Sequence, residues 1–195
     1  MFALRGSPIA VPPQLDYWPE GTDVGETDIV VAGISLQRLV EVCGTPAVHS
    51  ASAVIPNSGQ LPSEAERAAV LVVRVLAVTH HASGAQIAQV DARLDNLRLV
   101  WSETRLMGRM STARPRTLLI VRRPDTTDLS ATSDVIAVTL PRDVHTGDLL
   151  VIPSRTIRAD MVRPDHPLTG RQGWRPDSVL DSEPSEVSPW WESIE

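Results

Sequence analysis

Apolar residues along this chain come in short blocks separated by turn chemistry, and the blocks predict strands far more often than helices. The clearest block is AAVLVVRVLAVT, Ala68 to Thr79, nearly continuous in aliphatic and β-branched residues. A strand with one wet face would alternate, so this run predicts a central strand covered on both faces. Other strand-like runs are DIVVAGI (28–34), AVHSASAVI (47–55), QIAQVDA (86–92), LRLVW (97–101), RTLLIVRR (116–123), SDVIAVTL (133–140) and GDLLVIPS (147–154). A turn near Gly84 joins the long run to QIAQVDA as a hairpin. The one helical pattern is SLQRLVEVC, with Ser35 as N-cap and Gly44 as its stop, and Pro56 to Glu66 reads as a loop. With no alternation of strands and helices, no heptads and no repeat, the prediction is an all-β fold. It is a single antiparallel β-barrel of about six to eight strands with one short N-terminal helix.

The flanks differ from this middle. Residues 1–27, with Pro8, Pro12, Pro13 and Pro19, predict an irregular lead-in to a barrel domain over 28–161. Residues 162–195 hold five prolines and seven acids against three arginines, a composition that resists folding alone. This acidic tail also carries Trp174, Trp190 and Trp191. It is expected to pack on its own barrel or on a neighbouring subunit, with a solvated tail as the plainer alternative.

Composition narrows the chemistry. All 18 basic residues among the 195 are arginine, and the absence of lysine removes Schiff-base chemistry and the phosphate-binding lysine of a P-loop. A formal net charge of −6 argues against nucleic acid, which needs a basic surface. Cys43 is the sole cysteine, so an internal disulfide or thiolate zinc site cannot form, which fits a reducing cytoplasm. No run approaches the length of a membrane-spanning segment, and the proline-rich N-terminus does not read as a signal peptide. The expectation is a soluble cytoplasmic protein without membrane or nucleic-acid partners.

Candidate chemistry gathers in two places. His80 closes the long strand beside the first hairpin, where one of the pair His80 and His81 can face a barrel interior and the other faces solvent. Asp91, Asp95, Asn96, Arg98, Trp101 and Glu103 form the densest polar run attached to an apolar strand. There an inward carboxylate near an arginine could act as an acid/base pair or clamp a ligand carboxylate, whereas an exposed ion pair is the structural alternative. Hydrolase, NTPase and dinucleotide motifs are all missing.

Several segments, in order, resemble diaminopimelate decarboxylase and related pyridoxal-phosphate decarboxylases. DIVVAGISLQRLVEVCGTPAVHS resembles the strand, short helix and Gly-Thr-Pro that precede the family's cofactor barrel. VLVVRVLAVTHHASGAQIAQVDARLDNLR resembles the start of its C-terminal β-barrel, and LPRDVHTGDLLVIP its penultimate strand pair. The resemblance covers roughly residues 28–161 and skips one part: between His49 and Ala68 the family places a whole (β/α)8 barrel of about two hundred residues or more. That domain carries the cofactor lysine, so the resemblance implies a free-standing barrel that binds no pyridoxal phosphate by itself. Residue by residue, it implies that Asp91 is kept and that Arg98 matches an arginine gripping a substrate carboxylate. Asp128, in RRPDTTD, matches the aspartate of a motif whose cysteine is absent, and Ile157 or Arg158 stands where the family has a cofactor-contacting tyrosine.

Two functions follow as expectations. In the first, the barrel is a cofactor-free cyclase or isomerase-type tailoring enzyme of specialised metabolism. It would take an apolar small-molecule substrate in an uncovered barrel end, with Asp91, Arg98 and His80 as catalytic groups. Asp95, Asn96, Trp101, Asp128 and Arg158 would bind the substrate, and neither cofactor nor metal is required. In the second, it is a non-catalytic interaction module or partner subunit of a separately encoded pyridoxal-phosphate barrel, assembling as a homodimer or through its tail.

Overall fold

The computed structural model describes residues 12–80, 84–94, 97–121 and 135–155. The ten strands are β1 (Thr22–Val24), β2 (Ile29–Val31), β3 (Ile34–Ser35), β4 (Ala47–Val54), β5 (Pro62–His80), β6 (Gln86–Val90), β7 (Arg105–Met107), β8 (Pro115–Val121), β9 (Val135–Pro141) and β10 (Leu149–Ser154). One helix, α1 (Leu36–Cys43), follows β3, and two 3-10 turns lie at Leu15–Tyr17 and Trp101–Glu103. The fold is all-β with one short helix, as the patterning predicts.

β5 organises everything else. From Ala68 to Val73 every residue is at most 2% exposed, so the near-continuous apolar run does have both faces covered. Successive side chains on a strand point to opposite faces. Leu71, Val73 and Val75 therefore enter a core shared with Val90, Leu94, Ile120, Leu140, Leu150 and Ile152. Val70 and Val72 enter a second core with Trp18, Val31, Leu36, Met107 and Val151. The first core fills the barrel with side chains, and the second lies under α1 and the small sheet β1-β2-β3.

The main sheet runs β7-β10-β5-β6-β8-β9, with β4 also paired to β5, and its outer strands β7 and β9 approach each other to leave a nearly closed barrel. Its pairs are antiparallel except β6 and β8, which run parallel from Gln86↔Leu118 to Ala88↔Ile120. On one edge of β5, β4 pairs from Ala47↔Val72 to Ser52↔Arg67, and β6 takes over from Val75↔Val90, with a bulge between Val75 and Ala77. β10 covers the other edge from Leu149↔Arg74 to Ser154↔Ala69.

Helix α1 forms where its caps predict. Ser35 Oγ accepts the Arg38 N–H at 3.0 Å, and Asp28 Oδ1 accepts that of Gln37 at 3.0 Å, so two free N-terminal donors are satisfied. Leu36 and Val40, one turn apart, are the buried contacts, and Gly44 ends the helix at φ +78°, a conformation costly for any side chain.

Three expectations change. The lead-in is not wholly irregular, because β1 lies within it and Trp18 is completely buried. The indole Nε1 of Trp18 and the Gln14 N–H both donate to the buried Glu103 carboxylate, at 3.3 and 3.1 Å. The loop predicted over Pro56 to Glu66 is shorter, since β5 already begins at Pro62 and pairs with Val54. LRLVW is not a strand: Leu99 makes a single bridge to Ser154, the last residue of β10, and the chain then turns into the 3-10 segment at Trp101. The tail over 162–195 lies outside the described residues.

Leu71→Ala should lower unfolding stability by about 2–5 kcal/mol, because the barrel core cannot close over the lost side chain. Val42→Ala, on the exposed side of α1, should change it by less than about 0.5 kcal/mol. Urea unfolding with unchanged slope checks both.

Candidate functional site

The three residues expected to act together are spread along β5. His80 is exposed at its far end, opposite Gln86. Arg98 is also exposed, and its carbonyl accepts the hydroxyl of Ser154, the β10 residue paired with Ala69 of β5, at 2.8 Å. Ala69 and His80 are eleven residue steps apart on β5, roughly 35 Å of extended chain. Asp91 sits between them. Trp101 is half-buried and packs against the barrel core. Asp95, Asn96, Asp128 and Arg158 lie outside the described residues.

Asp91 pairs with Arg74, not with Arg98. At Arg74 the β4 ladder has ended and the β6 ladder has not begun, so one edge of β5 would lack a strand partner. Asp91 fills the gap: its Oδ1 accepts the Arg74 N–H at 2.8 Å and its own N–H donates to the Arg74 carbonyl at 3.1 Å. Burial pushes the Asp91 carboxyl above its ordinary value, outweighing the hydrogen bonds from the Thr45 side chain and the Arg74 N–H. The carboxyl expected to do acid/base work thus closes a break in the sheet.

A denser polar group was not legible beforehand. Asp148, 4% exposed, accepts Arg109 Nε and Nη2, both at 2.8 Å, and the His145 N–H at 3.0 Å. Arg109 also reaches Asp143, donating from Nη1 to its carboxylate at 3.1 Å and from Nη2 to its carbonyl at 2.8 Å. The Asp148 carboxylate raises the Arg109 pKa well above its usual range. Burial pushes the Asp143 carboxyl up, but the hydrogen bonds from Ser111 and Arg109 outweigh it and leave the group below its usual value. This network ties β7 to the turn before β10. In the sequence the only trace of it is the Arg-Asp and Gly-Asp spacing in PRDVHTGD.

Two surface clefts accompany these groups. One, about 470 Å³, lies between α1, the interior of β5 at Arg74 and the ends of β7 and β10, and Arg74 and Arg109 both line it. The other, about 710 Å³, lies between the first 3-10 turn, the β4–β5 loop and Arg155. That loop is closed by the Ile55 N–H donating to the Leu61 carbonyl at 2.9 Å and is tied to the lead-in by the Asn57 N–H on Asp16 Oδ2 at 3.2 Å. Ile55, Leu61 and Tyr17 are 45%, 60% and 38% exposed, an unusual density of large apolar groups around one loop. The cleft that Tyr17 lines with Pro56 and Asn57 of this loop, with Arg155 and Asp16 as its charged residues, is the candidate docking surface.

The described residues contain no cluster able to hold a metal ion, and no helix of the described residues is long and apolar enough to cross a membrane.

Asp91→Asn should be neutral or stabilising at pH 7, because the amide oxygen keeps the bond to Arg74 while the buried charge is gone. A raised carboxyl pKa means the native state holds the proton more tightly than the unfolded chain. The wild-type stability therefore falls as pH rises from about the ordinary 3.8 through the raised value. Chemical unfolding as a function of pH should show that slope shrink in Asp91→Asn. Asp91→Ala, which strands the Arg74 N–H, should lose about 1–3 kcal/mol.

No protein-family model matches the chain, and no curated protein matches it.

Proposed function

We propose that this protein is a non-catalytic interaction module, a counterpart of the C-terminal barrel of the diaminopimelate-type decarboxylases in which β4 and β5 are joined by a short loop. It would pair with a separately encoded, lysine-bearing (β/α)8 cofactor barrel. The observation that carries the reading is the β4–β5 loop. The resemblance puts the missing domain between His49 and Ala68, and this is where β4 and β5 form a hairpin with Val54 and Pro62 as direct cross-strand partners. Cross-strand partners have Cα atoms only about 5 Å apart, so a domain can be joined or removed at such a point without disturbing the flanking strands. The exposed Ile55, Leu61 and Tyr17 supply apolar contact area at that point. Barrel packing favours the module over a cofactor-free cyclase or isomerase, because the interior that would hold an apolar substrate is occupied by core side chains.

The test mixes the purified chain with the purified lysine-bearing barrel protein encoded nearest to its gene and follows sedimentation and visible cofactor absorbance. A complex is expected, and Leu61→Asp or Ile55→Asp should weaken it by about 30-fold, the equivalent of one lost apolar anchor of about 2 kcal/mol. Thermal unfolding of both variants should stay close to that of the parent. Failure to associate, together with turnover of an apolar linear precursor by the chain alone, would overturn the module in favour of the enzyme.

A further inference from the structure

The cleft beside α1 contains one arginine that forms no ion pair within 4 Å among the described residues, the Asp91 carboxylate attracting it only at longer range. Of the charged groups lining it, Asp148 is saturated by Arg109, and Arg109 is saturated by Asp148 and Asp143. Glu41 is engaged with Arg38 at 2.8 Å. Arg74 remains. Among the described residues its side chain makes one hydrogen bond, from Nη1 to the Gly147 carbonyl at 3.2 Å, and no carboxylate lies within ion-pair distance of it. A guanidinium has five N–H donors in a planar fork, so most of its capacity is unspent.

The rest of the cleft suits a small occupant with one charge. Val40, Met107 and Leu149 provide apolar wall, Gln37 provides an amide at the rim, and Gly147, at φ +96°, contributes backbone without a side chain. A Cβ at Gly147 would meet nothing within 4 Å, so the cleft is open there. The Arg74 backbone is held on both polar groups by Asp91, which fixes the root of the side chain before any ligand arrives.

We infer that this cleft is a binding site for a small monocarboxylate with a short apolar stem, its carboxylate held by the Arg74 guanidinium. A carboxylate matches the guanidinium fork with two parallel hydrogen bonds, and the Arg74 fork has donors to spare. A phosphate dianion fits less well, because Asp148 and Glu41 line the same cleft. This site is independent of the docking surface at the β4–β5 loop, and either can fail without the other.

The experiment titrates the full-length chain with hexanoate, hexanamide and inorganic phosphate, reading backbone amide NMR shifts. Hexanoate should shift resonances of Gln37, Arg74, Gly108 and Gly147 saturably, with hexanamide and phosphate at least tenfold weaker. Arg74→Gln should reduce hexanoate affinity at least tenfold. Gln37→Glu, a change on the α1 surface that puts an acid at the rim, should also reduce it several-fold, and this variant carries the test if Arg74→Gln does not fold. Equal binding of hexanamide, tighter binding of phosphate, shifts centred elsewhere, or undiminished affinity in the folded variants would each overturn the assignment.

Discussion

The architecture depends on a pair of neighbouring strands being dry on both sides. β5 and β10 both send buried side chains into the two cores, so the barrel and the layer made by α1 and the small sheet are held together through their backbones. Desolvating both faces of a strand contributes about 25 cal/mol for each Å² of apolar surface removed from water, and it also requires every backbone polar group to find a partner. β4 and β6 share one edge and β10 takes the other, and the sheet order follows from that demand.

The handover from β4 to β6 is where the demand is hardest to meet, and there a side chain substitutes for a strand. Asp91 lends its carboxylate to the Arg74 N–H, and the raised pKa records the cost of holding that carboxyl away from water. The same contact fixes the root of the arginine in the α1 cleft that forms no ion pair within 4 Å. A structural repair and a candidate binding group are thus adjacent in space because both arise from the same interruption in the ladder.

Much of the fold was legible in the residues because its signals are local. The run from Ala68 onward, the Ser35 and Gly44 caps and the Gly-Asp-Leu-Leu strand each depend on neighbours a few positions away. What was not legible depends on register or on distant partners. Trp18 reads as part of a proline-rich lead-in until Glu103, 85 residues later, accepts its N–H. Leu97 to Trp101 alternates like a strand, yet β10 ends at Ser154 and offers it only one bridge. Arg98 looked like the partner of Asp91 because it is close in sequence, whereas the strand register brings Arg74 there instead. Arg74 reads in the sequence only as one charge inside an apolar run, and its place in the cleft depends on residues distant in sequence.

The tight loop between β4 and β5 also bears on how the chain reaches its native state. Pairing between these strands joins residues no more than 25 positions apart, from Val54↔Pro62 out to Ala47↔Val72. With a domain of about two hundred residues in place of the loop, the same contacts would wait on closure of a far longer segment, and such non-local pairing slows folding. In the short form the hairpin can zip from its tip before any other strand arrives, presenting β5 as a ready template on which β10 and β6 then assemble.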